Sequence, residues 1–160
     1  MPNGPRLVID GACYHIMTRG NNKQKVFGAE KDFYKYMDLL IKYKKRYKFR
    51  LYGYCLMPNH IHIMGQIYEK NILYKFMHGL NRAYTGYFNK TYGRVGHPWQ
   101  GRFKSKVIIK DKYLIDCINY IESNPARAEI VKSPHEYVWS SYRERNMLNP
   151  VYNMLDDLTL

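Results

Sequence analysis

The stretch Phe49-Arg-Leu-Tyr-Gly-Tyr-Cys-Leu-Met-Pro-Asn-His60-Ile-His62-Ile-Met-Gly-Gln-Ile67 decides the fold. β-formers run from Phe49 to Met57, break at Pro58-Asn59, and resume from His60 to Ile67, the pattern of two strands joined by a tight turn. Side chains on a strand alternate between faces, so His60 and His62 share one face, where two imidazoles can grip one metal ion. The same alternation is shown by any half-buried strand, so the pair gains meaning only from what surrounds it.

Upstream, Cys13 to Thr18 alternates as a first strand and ends in the turn signal Arg19-Gly20-Asn21-Asn22. Glu30 to Lys48 places Phe33, Tyr36, Met37, Leu40, Ile41 and Tyr47 at helical spacing, with Lys42, Lys44, Lys45, Arg46 and Lys48 among the remaining positions, where a charge run reads first as a solvated face. Downstream, Ile72 to Asn89 repeats the amphipathic pattern through Leu73, Phe76, Met77, Leu80, Tyr84 and Tyr87. A glycine-punctuated basic loop, Tyr92 to Gly101, leads to a fourth strand, Phe103 to Ile109, with Lys104 and Lys106 on one face and Phe103, Ser105 and Val107 on the other. A third helix follows from Asp111 to about Asn124, where Pro125 is expected to stop it. Tyr120 and Asn124 stand four apart and project from one helix face. The tail holds Pro134 and Pro150 and is expected to be irregular, with one helical turn around Ser140 to Asn146.

This order of elements predicts an α+β fold: an antiparallel sheet with helices on one or both faces, close to a split βαβ arrangement. A helix packed across the sheet would bring Tyr120 and Asn124 over the histidine strand.

The 160 residues suffice for one domain with a sizeable core, running the length of the chain with an irregular tail from about 143. With 26 Lys and Arg against 13 Asp and Glu, the net charge of +13 calls for a polyanionic partner, nucleic acid first. A membrane partner is not expected: no segment nears the roughly 20 apolar residues that span a bilayer. Met-Pro-Asn-Gly-Pro-Arg also lacks the apolar core of a signal peptide. Cys13, Cys55 and Cys117 are odd in number and far apart, which suits reduced thiols in a cytoplasmic protein. Most of the 17 tyrosines are assigned to packing.

Several ordered blocks then match one family. Thr18-Arg-Gly-Asn-Asn22, Tyr54-Cys-Leu-Met-Pro-Asn-His-Ile-His62, His97-Pro-Trp-Gln-Gly-Arg-Phe-Lys-Ser105, Tyr120-Ile-Glu-Ser-Asn-Pro-Ala-Arg-Ala128 and Trp139-Ser-Ser-Tyr142 closely resemble the REP-associated tyrosine transposases, HUH single-strand DNA nucleases with one catalytic tyrosine related to insertion-sequence transposases. The resemblance runs from about Cys13 to Tyr142. Departures from the usual pattern are small: Lys23 stands where arginine is common, Ala126 where valine is usual, and the tail after Tyr142 is short and turns acidic at Asp156-Asp157.

The resemblance implies a ferredoxin-like domain of HUH nuclease type, a divalent metal (magnesium or manganese), and cleavage of single-stranded DNA beside imperfect hairpins. By motif, His60, His62 and Asn124 would hold the metal and Tyr120 would be the nucleophile. Such a donor set adds no negative charge, so a bound cation keeps its full charge for polarising a phosphate oxygen. An ordinary phenol keeps its proton to about pH 10, so a nucleophile of this type needs help from a cation or base. A 5′-phosphotyrosine holds the bond energy, and the freed 3′-hydroxyl can later reverse the step.

Alternatives stand beside these roles. Tyr113, two turns earlier on the helix, is a rival nucleophile; Asn124 would also serve as a local helix-end residue; Glu122 would serve as a substitute ligand; His15, His78, His97 and His135 read as structural or DNA-facing. Arg19, Asn21 and Asn22 sit where they could read unpaired base edges, and Arg102, Lys104 and Lys106 suit phosphates. Trp99 offers either a stacking plane or a buried anchor for its loop. The leading expectation is an endonuclease and strand transferase. A non-catalytic hairpin-binding protein of the same fold, a replication or mobilisation initiator and an RNA-binding domain are the alternatives, and both monomer and homodimer remain open.

Overall fold

A computed structural model of the chain describes residues 9–108 and 111–158. Pro58 and Asn59 close the predicted hairpin between β2 (Arg50–Met57) and β3 (His60–Gln66), which pair antiparallel with Met57 opposite His60 and Cys55 opposite His62. β3 also pairs with β1 (Cys13–Arg19), and β1 pairs with β4 (Lys104–Ile108), giving one antiparallel sheet of order β2-β3-β1-β4. α1 (Glu30–Tyr47) connects β1 to β2, and α2 (Lys70–Tyr92) connects β3 to β4. This is the predicted split βαβ, ferredoxin-like arrangement. Ile109, assigned to β4 from sequence, lies outside the described residues.

Alternation sorts the sheet into two faces. Tyr14, Ile16, Ile61 and Ile63 are almost fully buried on one face. α1 and α2 pack side by side there through Tyr36, Met37, Leu40, Leu73, Phe76, Met77 and Leu80, and Phe49 stacks on Phe76 at 4.2 Å. Gly65 allows that stack, because a Cβ there would overlap the Phe49 ring and the Arg50 carbonyl oxygen. Asp32 ties the two helices together. It is fully buried and accepts hydrogen bonds from the Gly28 and Ala29 amides at 2.7 and 3.0 Å, from Tyr87 Oη at 2.6 Å and from Tyr92 Oη. Burial alone would raise its pKa, but these four donors favour the carboxylate and hold it below the ordinary value.

The other face carries His60 and His62 of β3. The register sets Arg19 opposite His60, Met17 opposite His62 and His15 opposite Met64, with Lys104 and Lys106 of β4 beside Met17 and His15. α3 (Asp111–Glu122) lies on this face, against β2 and β3. It ends earlier than expected. The break falls at Ser123, and the chain continues as a single turn, α4 (Asn124–Arg127). Pro125 therefore does not stop the helix; it sits in the first turn of a new one, where its missing N–H has no intrahelical partner to lose.

The tail is more ordered than its prolines suggested. Ser140 bridges Cys55, Leu56 N–H donates to the Trp139 carbonyl, and Asp156 N–H donates to the Leu51 carbonyl while its carboxylate accepts from Leu51 N–H, so the tail covers the free edge of β2. Within it the expected helical turn forms as α5 (Tyr142–Arg145). Cys13, Cys55 and Cys117 form no disulfide among the described residues, and of the three Cys55 alone is fully buried. Among the described residues no helix is long and apolar enough to cross a membrane.

Candidate nuclease site

Residues far apart in sequence meet over the centre of the sheet. His60 Nδ1 lies 2.7 Å from Asn59 Oδ1, which can only accept, so the ring proton sits on Nδ1 and Nε2 keeps its lone pair. That nitrogen accepts a 3.4 Å hydrogen bond from Asn124 Nδ2. The rings of His60 and His62 meet edge to face at 5.0 Å between centroids. His62 is buried, and its Nδ1 shares a 2.8 Å hydrogen bond with His15 Nε2, the two rings stacking at 5.1 Å.

Tyr120 borders this group. Its ring lies 6.3 Å from His62 and 6.5 Å from His15, edge-on to both, and the residue is 50% exposed. Arg127 holds it from behind, with the guanidinium 3.8 Å over the ring centroid and a 2.7 Å hydrogen bond to the Tyr120 carbonyl. The turn at Ser123 makes this hold geometrically accessible, for Ser123 Oγ donates to the same carbonyl and accepts from Arg127 Nε.

All three imidazoles are kept neutral. Burial lowers the pKa of His62 to about 3, with the neighbouring His15, His60, Arg127 and Arg19 adding to the effect. Burial and Arg19 lower His60, and burial and Lys106 lower His15. Neutral imidazoles are the form that binds metal. Among the described residues no three His, Cys, Asp or Glu side chains gather as a metal cluster. Two imidazoles and the Asn124 amide, once turned to present its oxygen in place of Nδ2, fit a divalent cation that keeps its charge and open positions for substrate.

Several assignments left open by the sequence resolve here. The sequence reads His15 as structural or DNA-facing, yet it is bonded to His62 and belongs to the site. Only the pairing of β1 with β3 puts it there, and that pairing is not local. Arg127, to which the sequence alone gives no role, clamps Tyr120. Glu122 is not available as a ligand: it is buried in a 3.0 Å ion pair with Arg145 and accepts from Ser141 Oγ at 2.5 Å. Tyr113 is exposed on α3 and has no ring contact with the histidines. His78, His97 and His135 lie outside the group; His78 stacks on Tyr74, and His97 bonds the Trp99 carbonyl.

Of the residues expected to touch DNA, Arg19 and the turn Asn21-Asn22 sit at the histidine end of the sheet. That turn is braced by Gly20 N–H to the Asn59 carbonyl and Asn21 N–H to the Pro98 carbonyl. Gly20 is needed there, since a Cβ would overlap the Gln24 carbonyl oxygen. Lys104 and Lys106 are exposed on the same face as Tyr120. Trp99 is no open stacking plane: it is 4% exposed, with its ring against Tyr36 and Tyr84 on the other side of the sheet. Arg102 lies beside it, lining a separate cleft.

Comparison with known proteins agrees with this architecture. Across its full length the chain superposes on a REP-associated tyrosine transposase solved bound to a REP hairpin, with a TM-score of 0.77 at 17% identity, covering 94% of that chain. A transposase candidate from Deinococcus radiodurans R1 matches 77% of the chain and 97% of its own length, at a TM-score of 0.52 and 16% identity. Among curated proteins, a candidate REP-associated tyrosine transposase of Haemophilus influenzae is 28% identical over 108 residues, 61% of this chain; the match spans 61% of that relative's length. The profile of the IS200-like transposases matches residues 9–124, from the start of the described chain through every proposed ligand and the tyrosine, and the protein belongs to that family.

Proposed function

We propose that this chain is a metal-dependent single-strand DNA endonuclease and strand transferase that acts at DNA hairpins, with Tyr120 as nucleophile. The observation that carries the reading is the convergence of His60, His62 and Asn124 on one face, with Tyr120 at its open edge. The hairpin as substrate follows from the net charge of +13 and from the partner held by the structural relative.

A divalent cation held by His60, His62 and Asn124 would supply Lewis-acid polarisation of the scissile phosphate. The donor set suits manganese better than magnesium, which prefers oxygen ligands throughout. The remaining work falls to the chain's own groups. Tyr120 Oη attacks phosphorus, its proton is lost, and the P–O3′ bond breaks. The departing 3′ oxygen takes up a proton, and the downstream strand remains on Tyr120 through its 5′-phosphate. Arg127 fixes the attacking ring, His15 orients His62, and Arg19, Lys104 and Lys106 offset the charge of the incoming strand. Attack by the 3′-hydroxyl on the phosphotyrosine reverses these steps and rejoins a strand without ATP.

Incubating the protein with labelled single-stranded hairpins, with manganese or with EDTA, tests this. A metal-dependent covalent adduct on denaturing gels, absent from Tyr120→Phe, is the expected result. Tight hairpin binding with no adduct or nick under any metal would leave the non-catalytic hairpin-binding protein as the correct account.

A further inference from the structure

The block Trp139-Ser-Ser-Tyr142 has no part in the chemistry proposed above, yet it meets the helix that carries Tyr120. α3 rests on β2 and β3 through Leu114, Ile118 and Ile121, an apolar row that holds the helix against the sheet but has little direction of its own. Glu122 ends that row, one turn after Ile118, and is 2% exposed. Its carboxylate accepts from Ser141 Oγ at 2.5 Å and from Arg145 Nε at 3.0 and 3.3 Å. Replacing a buried ion pair with apolar groups of similar volume is often neutral or stabilising, so the contribution of this one is direction: its hydrogen bonds are met in a single placement of α3.

The grip on Glu122 is itself anchored. Ser141 N–H donates to the Tyr54 carbonyl and Ser141 Oγ accepts from Tyr54 N–H, both at 3.0 Å, which pins the hydroxyl to β2. Arg145 stands one helical turn on, and its guanidinium also donates to the Tyr52 carbonyl. A Cβ on Gly53 would lie 3.5 Å from Ser141 Oγ and from Arg145 Nη2 and 3.6 Å from Ile118, so tail, β2 and α3 meet at that residue. Trp139 fastens the segment to α1, stacking on Phe33 at 4.8 Å and meeting Tyr34 edge-on at 4.9 Å. Tyr120 precedes Glu122 by two residues, and its carbonyl is held by Ser123 Oγ and Arg127. The last turn of α3 is therefore fixed from both sides, with the Tyr120 ring 6.3 Å from that of His62.

We infer that the tail sets the placement of α3 over the proposed metal ligands: Ser141 and Arg145, acting through Glu122, are positioning residues for attack by Tyr120. The inference rests on the proposed function, and deepens it by giving the tail a part in the reaction that needs no contact with DNA or metal.

The test measures single-turnover adduct formation by the full chain on a labelled hairpin, with DNA and manganese saturating for each protein and at a temperature where circular dichroism shows each protein folded. Glu122→Ala and Arg145→Met each lower the rate about ten-fold or more, within the roughly hundred-fold that a misplacement of about 1 Å costs. Ser141→Ala, which withdraws one hydroxyl and leaves the ion pair, is the mildest change and lowers the rate about three-fold or more. Hairpin affinity in EDTA stays within about two-fold of native for all three, because catalysis falls through geometry and not through binding. Folded variants with the native rate overturn the inference, and so does a loss of hairpin affinity that matches the loss of rate, which marks a general structural role. If Glu122→Ala and Arg145→Met do not fold, Ser141→Ala decides by the same two criteria. Adducts formed equally by native and variant proteins leave the proposed function standing without the inference, whereas a native protein that forms no adduct on Tyr120 overturns both.

Discussion

Replacing His15 by phenylalanine should weaken manganese binding by roughly 10- to 100-fold, about 1.4–2.7 kcal/mol. The figure follows from what the substitution removes. His15 Nε2 is the partner of His62 Nδ1 at 2.8 Å, and the two rings stack at 5.1 Å and 27°. Phenylalanine keeps the stacking volume and loses the hydrogen bond. His62 is then free to carry its proton on Nε2, the nitrogen it would otherwise offer to a metal. The buried ring, held neutral with its pKa near 3, cannot recover a partner by becoming charged at neutral pH. Glutamine at position 15 supplies an acceptor and should restore part of the affinity. The assay is titration of manganese into native, His15→Phe and His15→Gln proteins, by calorimetry or by the electron paramagnetic resonance of free ion, with hairpin binding in EDTA as the control for folding. Equal manganese affinity in native and His15→Phe proteins of the same stability would refute the argument that His15 sets the tautomer of His62.

Three further outcomes follow from other parts of the molecule. Manganese should support adduct formation at lower concentration than magnesium by about ten-fold or more, because two of the three donors are imidazoles; a magnesium preference in paired titrations would contradict the ligand assignment. Asp32→Asn should cost roughly 2 kcal/mol in denaturant unfolding, since a buried carboxylate with four donors loses its charge. The folded pKa of Asp32 is depressed, so its contribution is present above the unfolded value of about 3.9 and disappears as pH falls through the folded value; the gap between native and Asp32→Asn stability should therefore close in acid, and a gap that is constant with pH refutes the assignment. Gly65→Ala should destabilise by about 1–3 kcal/mol, because its methyl meets the Phe49 ring and the Arg50 carbonyl; an unchanged unfolding midpoint would show that β2 and β3 can shift to admit it.

What the sequence disclosed and what it withheld divide along the range of the interactions. Element types are local matters: the break at Pro58-Asn59, the alternation through His60 and His62, and the apolar stripes of α1 and α2 each declare themselves within a few residues. Their order then limits the sheet to few topologies, and the ferredoxin-like arrangement is one of them. The composition of the site was harder to read. His15 joins it through the register of β1 on β3, which Thr18-Ile61 and Ile16-Ile63 packing on the opposite face sets, and nothing near His15 announces that register. Glu122 and Tyr120 lie two residues apart on α3 and so point to different sides, which excludes Glu122 once the helix is docked. The burial of Trp99 depends on Tyr36 and Tyr84 from two different helices. The proline after Asn124 was a correct sign of a break, but the break came two residues earlier because Pro125 is comfortable in a helix's first turn.

The central claim is that Tyr120 takes the 5′-phosphate of a cut strand. Hairpin DNA labelled at its 3′ end and, separately, at its 5′ end is incubated with the protein and manganese, and the covalent product is digested and analysed by mass spectrometry. The account predicts that only the 3′ label stays with the protein and that the nucleotide sits on the peptide containing Tyr120. Label retained from the 5′ end, attachment at Tyr113 or another residue, or cleavage with no covalent product would contradict it.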